Sequence, residues 1–197
     1  MSYEEKRIKV AVYGTLKSNS PLLVAVPGVG GKRCRLHVLA AAGLTKMAAA
    51  IKKDLGLELA LASAWRPHRW KSRADYEQAV IKKYGSVREG AKWLAYDSPH
   101  ETGLAIDIGV GGLTPSRASA DKQRQQPLHE WLVEHAWEYG WHPYQREPWH
   151  WEFPLSLAAF KSGVADGESA PATAAGEAAA GETEDDPVED EFEEHQE

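Results

Sequence analysis

The sequence contains one cysteine, Cys34, among 197 residues. A single cysteine excludes an internal disulfide and every zinc site built on two or more thiolates, so metal ligands here must be histidine, aspartate or glutamate. The chain also lacks the run of about eighteen apolar residues that a membrane span needs. No basic N-terminal region precedes a long apolar stretch. We therefore expect a protein made in the cytoplasm without a signal peptide.

Basic and acidic residues are unevenly distributed along the chain. Residues 1–160 carry 22 basic and 16 acidic side chains, whereas residues 161–197 carry one basic and 13 acidic side chains. A basic body suits an anionic partner such as a cell-wall polymer, nucleic acid or a membrane surface, and it equally suits a solvated lysine-rich face. The acidic end has too few apolar residues to bury a core, so we predict a disordered tail that keeps the protein soluble, masks the body or binds a basic partner.

The length fits one ordinary domain. We predict N-terminal strands and loops packed on the domain over 1–35, the main domain over 36–160 and the tail over 161–197. Alternating and helical apolar spacings predict strands and helices in the same chain. The strands are expected over 8–12, 22–26, 57–62, 103–109 and 147–153, and the helices over 36–55, 69–84, 87–94 and 128–139. A glycine-rich turn is expected over 27–31, and a loop flanking the site over 109–126.

The stretch from Ser98 to Asp107 carries the strongest chemical signal. Its second half alternates apolar residues with small or acidic ones, so Asp107 projects from a strand whose other face fills a core. His100 precedes that strand after a turn that contains a proline, where its imidazole can fold back over Asp107. Zinc accepts both imidazole nitrogen and carboxylate oxygen as ligands.

A second stretch, 147–153, supplies the remaining groups of this site. His150 gives a third ligand, which leaves a fourth position on zinc open for water, as in catalytic zinc sites. Glu147 lies three residues earlier, across a proline, and is our candidate general base and acid. Arg66 ends a predicted strand, where it can hold a substrate carboxylate or stabilise a charged oxygen. Trp149 flanks His150 and is expected to wall the pocket.

Each of these residues also has an ordinary structural interpretation. A buried histidine is commonly a hydrogen-bonded core residue, a Trp-His-Trp strand can be packing alone, and an arginine after a strand can be a surface cation. Other histidines, among them His68, His135 and His142, are alternative ligands. His68 is the strongest of these because it lies close to Arg66.

The two motifs resemble a known family. Ser98, His100, Gly103, Ala105 and Asp107 match Ser-x-His-x-x-Gly-x-Ala-x-Asp, and 147–151 reads Glu-Pro-Trp-His-Trp, as in zinc D-alanyl-D-alanine carboxypeptidases of the vancomycin-resistance type. These are VanY-like members of the lysostaphin, D-Ala-D-Ala and hedgehog-like metallopeptidase superfamily. The segment 63–67, Ser-Ala-Trp-Arg-Pro, resembles the family's Ser-Gly-Tyr-Arg motif, with Ala64 in place of glycine. The resemblance spans about residues 36–153.

The resemblance implies an α+β fold: a small antiparallel sheet with flanking helices, carrying one zinc ion on its open face. It implies that His100, Asp107 and His150 are the metal ligands, that Glu147 is catalytic, that Arg66 orients substrate or stabilises the transition state, and that Ser98 helps to bind substrate. The implied function is a peptidoglycan D-alanyl-D-alanine carboxypeptidase that hydrolyses a stem-peptide bond with zinc-activated water.

Other functions stay open at this point. A related one is an endopeptidase of the endolysin type that cuts between L-alanine and D-glutamate. A different class is a non-catalytic zinc module of the hedgehog type, against which the retention of Glu147 argues. Nucleic-acid binding lacks a motif of interleaved aromatic and basic residues. Because no signal peptide is expected, family analogy implies that the protein reaches the cell wall through phage lysis or a tail-like delivery device.

Overall fold

The computed structural model describes residues 13–109, 114–144 and 147–167. Strands and α-helices follow one another in an order typical of an α+β protein. The strands are β1 (Leu23–Pro27), β2 (Arg33–His37), β3 (Leu61–Ser63), β4 (Ala105–Ile108), β5 (His142–Tyr144) and β6 (Glu147–Glu152). The α-helices are α1 (Val38–Leu55), α2 (Arg73–Tyr84), α3 (Val87–Gly90), α4 (Ala120–Arg124), α5 (Pro127–His135) and α6 (Leu157–Ser162).

Two antiparallel sheets organise these elements. The larger has the order β3-β4-β6-β5, so β4 and β6 are its central strands, and the smaller is the hairpin of β1 and β2. The predicted α+β class with a small antiparallel sheet and flanking helices is confirmed. The central pair matters most, because its register fixes which side chains meet across the sheet.

Strand β4 shows why the alternating pattern gives this sheet. Ile106 and Ile108 are fully buried on the core side, whereas the Asp107 side chain points to the other face and remains 17% exposed. An acid on a central strand is unfavourable unless it has partners. The face opposite the core must therefore contain groups that satisfy Asp107.

Helix α1 covers the core side of the molecule. Ala40, Leu44, Met47 and Ile51 recur at helical spacing and are all buried, and the helix contacts β1, β2 and α5. Gly43 lies on the same helix at a close approach: a Cβ there would lie 2.6 Å from a ring carbon of Phe153. This glycine therefore permits packing of the helix, although it lowers helical propensity.

A smaller cluster forms between the end of β3 and the turn before β4. Trp70, Tyr76 and Val80 are its buried members, and α2 packs on α3 beside them. This helical pair is separate from the main core. The segment that contains this helical pair starts near Arg66 and finishes near Ser98. These two residues lie close together, with the Arg66 Nη2 3.4 Å from the Ser98 Oγ.

Several elements differ from the sequence predictions. Helix α1 begins at Val38 instead of residue 36, because Leu36 and His37 pair with β1. Strand β3 is shorter than predicted: Leu57 is 43% exposed, so its alternation does not reflect a buried face. The predicted loop over 109–126 contains the short helix α4, and the predicted third helix ends at Gly90. Strands β2 and β5 and helix α6 were not predicted.

The domain boundaries near residues 35 and 160 stay predictions. The predicted strand over 8–12 and most of the predicted tail lie outside the described residues. Within the described part of the chain, no helix has the length and apolar character needed to cross a membrane.

Gly103, which ends the turn before β4, gives a first testable prediction. Its φ is +69°, and a Cβ there would lie 2.7 Å from the backbone N of His37, which donates a hydrogen bond to the Gly103 carbonyl. Gly103→Ala is therefore expected to lower the free energy of unfolding by about 3 kcal/mol, combining left-handed strain with overlap. Denaturant titration of the metal-free protein measures this change.

Gly85 provides the matched control, because it also has a positive φ, +81°, but a Cβ at this position would have nothing within 4 Å. Gly85→Ala is expected to cost only the backbone strain, about 1 kcal/mol. Equal losses of unfolding free energy in the two variants would show that the close approach of Gly103 to β2 does not contribute to stability.

Candidate metal centre

The pairing of β4 with β6 places Asp107 directly opposite His150. Both strands are central in the sheet, so these two side chains are held by strands that are hydrogen-bonded on both sides. His150 Nδ1 lies 3.1 Å from Asp107 Oδ1, and the histidine side chain is only 7% exposed. The partner that the buried aspartate requires is thus supplied by the next strand of the sheet.

His100 reaches the same place from the turn before β4. Ser98 caps this 3-10 turn, its hydroxyl accepting from the His100 N–H, while the Glu101 carboxylate accepts from the Ser98 N–H. Pro99 occupies the first position of the turn, where a missing N–H costs nothing. Gly103 ends it in the left-handed conformation, which reverses the chain into β4. The sequence Ser-Pro-His-Glu-Thr-Gly therefore encodes a rigid support for the imidazole.

The three predicted ligands converge with spacings that suit a metal ion. His100 Nε2 lies 3.3 Å from Asp107 Oδ2, and the two imidazole rings have centroids 5.0 Å apart. One ligand atom from each of the three residues lies within 4.8 Å of the others. Tetrahedral zinc with bonds of about 2.0–2.1 Å separates its ligand atoms by about 3.3 Å, so this donor set fits zinc.

Each histidine is fixed through its other ring nitrogen. His100 Nδ1 lies 2.7 Å from the Ala64 carbonyl, and His150 Nε2 lies 3.3 Å from the Glu152 carboxylate. Since both partners are acceptors, these nitrogens carry the hydrogen. His100 Nε2 and His150 Nδ1 are then the nitrogens directed at Asp107, and a metal bound among the three groups would take the lone pairs of these nitrogens and displace any proton there.

The charges of the site are mutually stabilising. Burial disfavours the ionised form of Asp107, but the charges and hydrogen bonds of His100 and His150 outweigh it and hold the pKa of Asp107 well below its usual range. Burial likewise opposes protonation of His150, but Asp107 and Glu152 raise the pKa of His150 to about 10. The buried carboxylate is therefore kept in the anionic form that can bind a cation.

Glu147 lies at the start of β6, beside this group. The register between β5 and β6 shifts here, so that Glu147 pairs with Tyr144. Burial raises the pKa of the Glu147 carboxyl, and the negative charge of Asp107 raises it further. The charges of His150 and Arg66 and a hydrogen bond with the Trp149 side chain act in the opposite direction. The half-buried carboxyl of Glu147 is therefore within electrostatic reach of both a predicted ligand, His150, and the predicted arginine, Arg66.

Arg66 and Ser98 lie together at the exposed side of the site. The backbone N–H of Arg66 is directed at the His100 carbonyl at 3.4 Å, and its Nη2 lies 3.4 Å from the Ser98 Oγ. The Arg66 side chain is exposed, so it can reach an incoming molecule. Trp149 is 8% exposed and Trp151 is fully buried. Trp149, through its contact with Glu147, is the one connected to the site.

The alternative histidines do not join this group. His135 lies at the end of α5, where its Nδ1 is 3.1 Å from Glu138 Oε1, and His142 lies on β5 opposite Glu152 in the strand register. His68 belongs with Asp97 and Glu101 to a second cluster of groups that could hold a cation. The Glu101 carboxylate there already accepts from Ser98 N–H, Thr15 Oγ and His68 Nδ1. Capping and bracing of the turn account for the contacts of Glu101 and His68 in this cluster.

Two carboxylates near the ligands, Glu101 and Glu152, were missed by the sequence analysis. Glu152 could have been found, because it lies two residues after His150 and alternation places both on one face of β6. Glu101 also had a signal, since a glutamate three residues after Ser98 forms a capping box.

Comparison with known proteins gives one decisive match. The model of the family described as VanY, D-alanyl-D-alanine carboxypeptidase, matches residues 33–155. That range contains every predicted site residue and covers more than half of the chain. The chain has no match among curated proteins.

Three solved structures are among those that this chain resembles at a distance. VanYB in complex with D-alanine-D-alanine is 19% identical, with a TM-score of 0.46, over 77% of this chain and 89% of that one. A variant of the vancomycin resistance D,D-pentapeptidase VanY from a VanB-type cassette, in complex with Zn(II), is 18% identical, with a TM-score of 0.45, over 77% and 90%. The LdcB LD-carboxypeptidase is 17% identical, with a TM-score of 0.35, over 77% and 92%.

These three likenesses are distant, and the assignment rests on the family match and its extent. The match agrees with the resemblance that the two sequence motifs indicated. The chain belongs to the VanY family of D-alanyl-D-alanine carboxypeptidases.

Proposed function

We propose that this protein is a zinc-dependent peptidoglycan carboxypeptidase that removes the terminal D-alanine from a stem peptide ending in D-alanyl-D-alanine. The observation that carries the proposal is the convergence of His100, Asp107 and His150, with Glu147 and Arg66 beside them, in a chain of this family. The three ligands would hold one zinc ion. When bound, zinc polarises the scissile carbonyl and lowers the pKa of water.

Glu147 is assigned the proton transfers. Its carboxylate takes a proton from the attacking water as the oxygen bonds to the carbonyl carbon. It then delivers that proton to the leaving amine nitrogen as the C–N bond breaks, and the second proton of the water passes to the amine as the new carboxylate forms. The products are the shortened peptide with a new carboxylate and free D-alanine. The half-buried position of Glu147 suits both roles, because its carboxyl is shielded from bulk water but remains beside the ligands.

Arg66 is assigned to bind an oxygen anion of the substrate. Its guanidinium is exposed and lies near the Ser98 hydroxyl. That hydroxyl can donate a further hydrogen bond to the same substrate anion. The anion is either the terminal carboxylate of the peptide or the oxygen that becomes charged in the transition state. Trp149 is assigned to the wall of the substrate site through its contact with Glu147.

A prediction separates the two anions that Arg66 can bind. Arg66→Ala is expected to lower kcat/KM about 100-fold on a synthetic stem pentapeptide with a free C-terminus, because a charged hydrogen-bond donor is lost. If the arginine holds the terminal carboxylate, an amidated peptide is a poor substrate already and loses little more in the variant. Arg69→Ala is the control, since Arg69 is also exposed but stacks on Trp70. A wild-type kcat/KM for Arg66→Ala on the peptide with a free C-terminus would show that Arg66 does not bind the substrate.

The bond that is cut can be identified directly. Purified peptidoglycan is incubated with the zinc-loaded protein, and the released fragments are identified by mass spectrometry. Free D-alanine supports the carboxypeptidase, whereas larger stem fragments would assign an endopeptidase of the L-alanyl-D-glutamate type. Absence of any release with zinc still bound would favour the non-catalytic binding module of the hedgehog type.

The place of action follows from the proposed substrate. Stem peptides belong to the cell wall, so the protein acts on the wall or in the periplasm after release or delivery. Phage lysis or a tail-like device is the proposed route. The same proposal assigns the peptidoglycan stem peptide as partner and makes no use of nucleic acid.

A further inference from the structure

Glu152 provides an acidic group behind one of the proposed metal ligands. It lies two residues after His150 on β6, and its residue is 7% exposed. Its Oε1 is 3.3 Å from His150 Nε2, the ring nitrogen that does not face Asp107. A glutamate this deeply buried is rare unless it is paired, so the contact needs an explanation.

The two histidines of the centre are supported in different ways. His100 Nδ1 is held by the neutral carbonyl of Ala64 at 2.7 Å, directly after β3. His150 Nε2 is held by a charged side chain. Both supports leave the other nitrogen directed at Asp107. A carboxylate behind a ligating imidazole fixes the ring's tautomer and raises the basicity of the nitrogen that binds metal.

We propose that Glu152 is a positioning residue of the zinc centre: it accepts the hydrogen bond from His150 Nε2–H and so keeps Nδ1 available and correctly directed for the metal. This inference rests on the proposed zinc site. It assigns Glu152 no contact with substrate. Its effect reaches the metal only through the imidazole of His150.

Glu152 is not a fourth ligand in this arrangement. Among the described residues, the group whose ligand atoms lie within 4.8 Å of one another around this centre consists of His100, Asp107 and His150 alone. The two nitrogens of an imidazole point away from each other, so an acceptor bound at Nε2 lies on the far side of the ring from a metal at Nδ1. The remaining alternative is that Glu152 only stabilises the strand, and this would leave metal affinity unaltered.

Zinc affinity is the readout that separates these roles. The zinc dissociation constants of the wild type, Glu152→Gln and Glu152→Ala are measured by competition with a chromophoric chelator. Glu152→Gln keeps the volume and an acceptor but loses the charge, and it is expected to weaken zinc binding about tenfold. Glu152→Ala loses both and is expected to weaken it about 100-fold. The melting temperatures of the metal-free variants report any loss of fold.

The control is Glu138→Gln. Glu138 also accepts from a histidine, His135, at 3.1 Å, but it is an exposed pair outside the centre. Its substitution is expected to leave zinc affinity and activity unchanged. Cobalt substitution adds a second readout, because a reoriented His150 changes the visible spectrum of tetrahedral Co²⁺.

The outcomes distinguish this inference from the function on which it rests. If the wild type does not bind zinc, both are overturned. If the wild type binds zinc and Glu152→Gln, or a folded Glu152→Ala, binds it equally tightly with an unchanged cobalt spectrum, the positioning role alone is overturned. The positioning role is supported if zinc binding is weaker in Glu152→Gln and weaker still in Glu152→Ala, while both metal-free variants melt close to the wild-type temperature.

Discussion

Replacing Glu147 with glutamine is expected to lower kcat for D-alanine release by a factor of about 10²–10⁴ while one zinc ion stays bound. Glutamine keeps the shape and hydrogen-bonding capacity of the side chain but cannot accept the proton of the attacking water. Since Glu147 is not among the three converging ligands, the zinc content should equal that of the wild type. Steady-state kinetics and metal analysis of the same sample measure both quantities.

The control for this variant is Glu77→Gln. Glu77 is an exposed residue of α2 that pairs with Arg73 and lies outside the metal centre. Its substitution is expected to leave kcat unchanged. Retention of wild-type kcat by Glu147→Gln would show that Glu147 does not transfer the proton. Loss of zinc together with activity would instead place Glu147 among the metal ligands.

Replacing Asp107 with asparagine is expected to abolish both zinc binding and hydrolysis. Asp107 is the group on which both histidines converge, and it supplies the only formal negative charge among the three ligands. The amide of asparagine is a neutral, weak ligand, so we expect the zinc dissociation constant to rise by more than about 100-fold. Chelator competition measures the affinity, and the release of D-alanine measures the activity.

Asp121→Asn is the matched control for that substitution. Asp121 is 93% exposed on α4 and pairs with Arg124, so the same chemical change occurs far from any buried partner. It should bind one zinc ion with wild-type affinity. A wild-type zinc affinity in Asp107→Asn would contradict the assigned metal centre.

The two sequence motifs predict the convergence of His100, Asp107 and His150 because turn capping and strand alternation set their local geometry, while the roles of these residues stay predictions. Ser98 and Gly103 cap a short turn, and the alternation after it aims Asp107 away from the core. These are short-range effects of turn chemistry and strand periodicity. The placement of His150 opposite Asp107 depends on strand pairing, which strand periodicity alone does not determine.

Other features depended on tertiary structure and could not be read from local pattern. Strand β2 exists because Leu36 and His37 pair with β1 instead of opening the helix, and no local propensity decides that choice. Leu57 alternates as a strand residue should, but it is 43% exposed. Glycine at position 43 lowers helical propensity, but the absence of a Cβ there allows the Phe153 ring to pack closely against the helix.

The proposed metal centre depends on the fold through three separate supports. The β4–β6 register sets Asp107 against His150, the capped turn delivers His100, and the Ala64 carbonyl at the end of β3 fixes the ring of His100. Each support belongs to a different element, and all of them lie within residues 33–155, the range of the family match. The sheet therefore acts as the frame on which the site is preorganised.

Metal removal and restoration test the central claim most directly. The protein is stripped with a chelator, dialysed, and assayed for D-alanine release from a stem pentapeptide before and after addition of one equivalent of zinc. The account predicts no release from the metal-free protein, recovery of activity with zinc, and no recovery by Asp107→Asn. Full activity of the metal-free protein, or no release of D-alanine by the wild type with zinc bound, would contradict it.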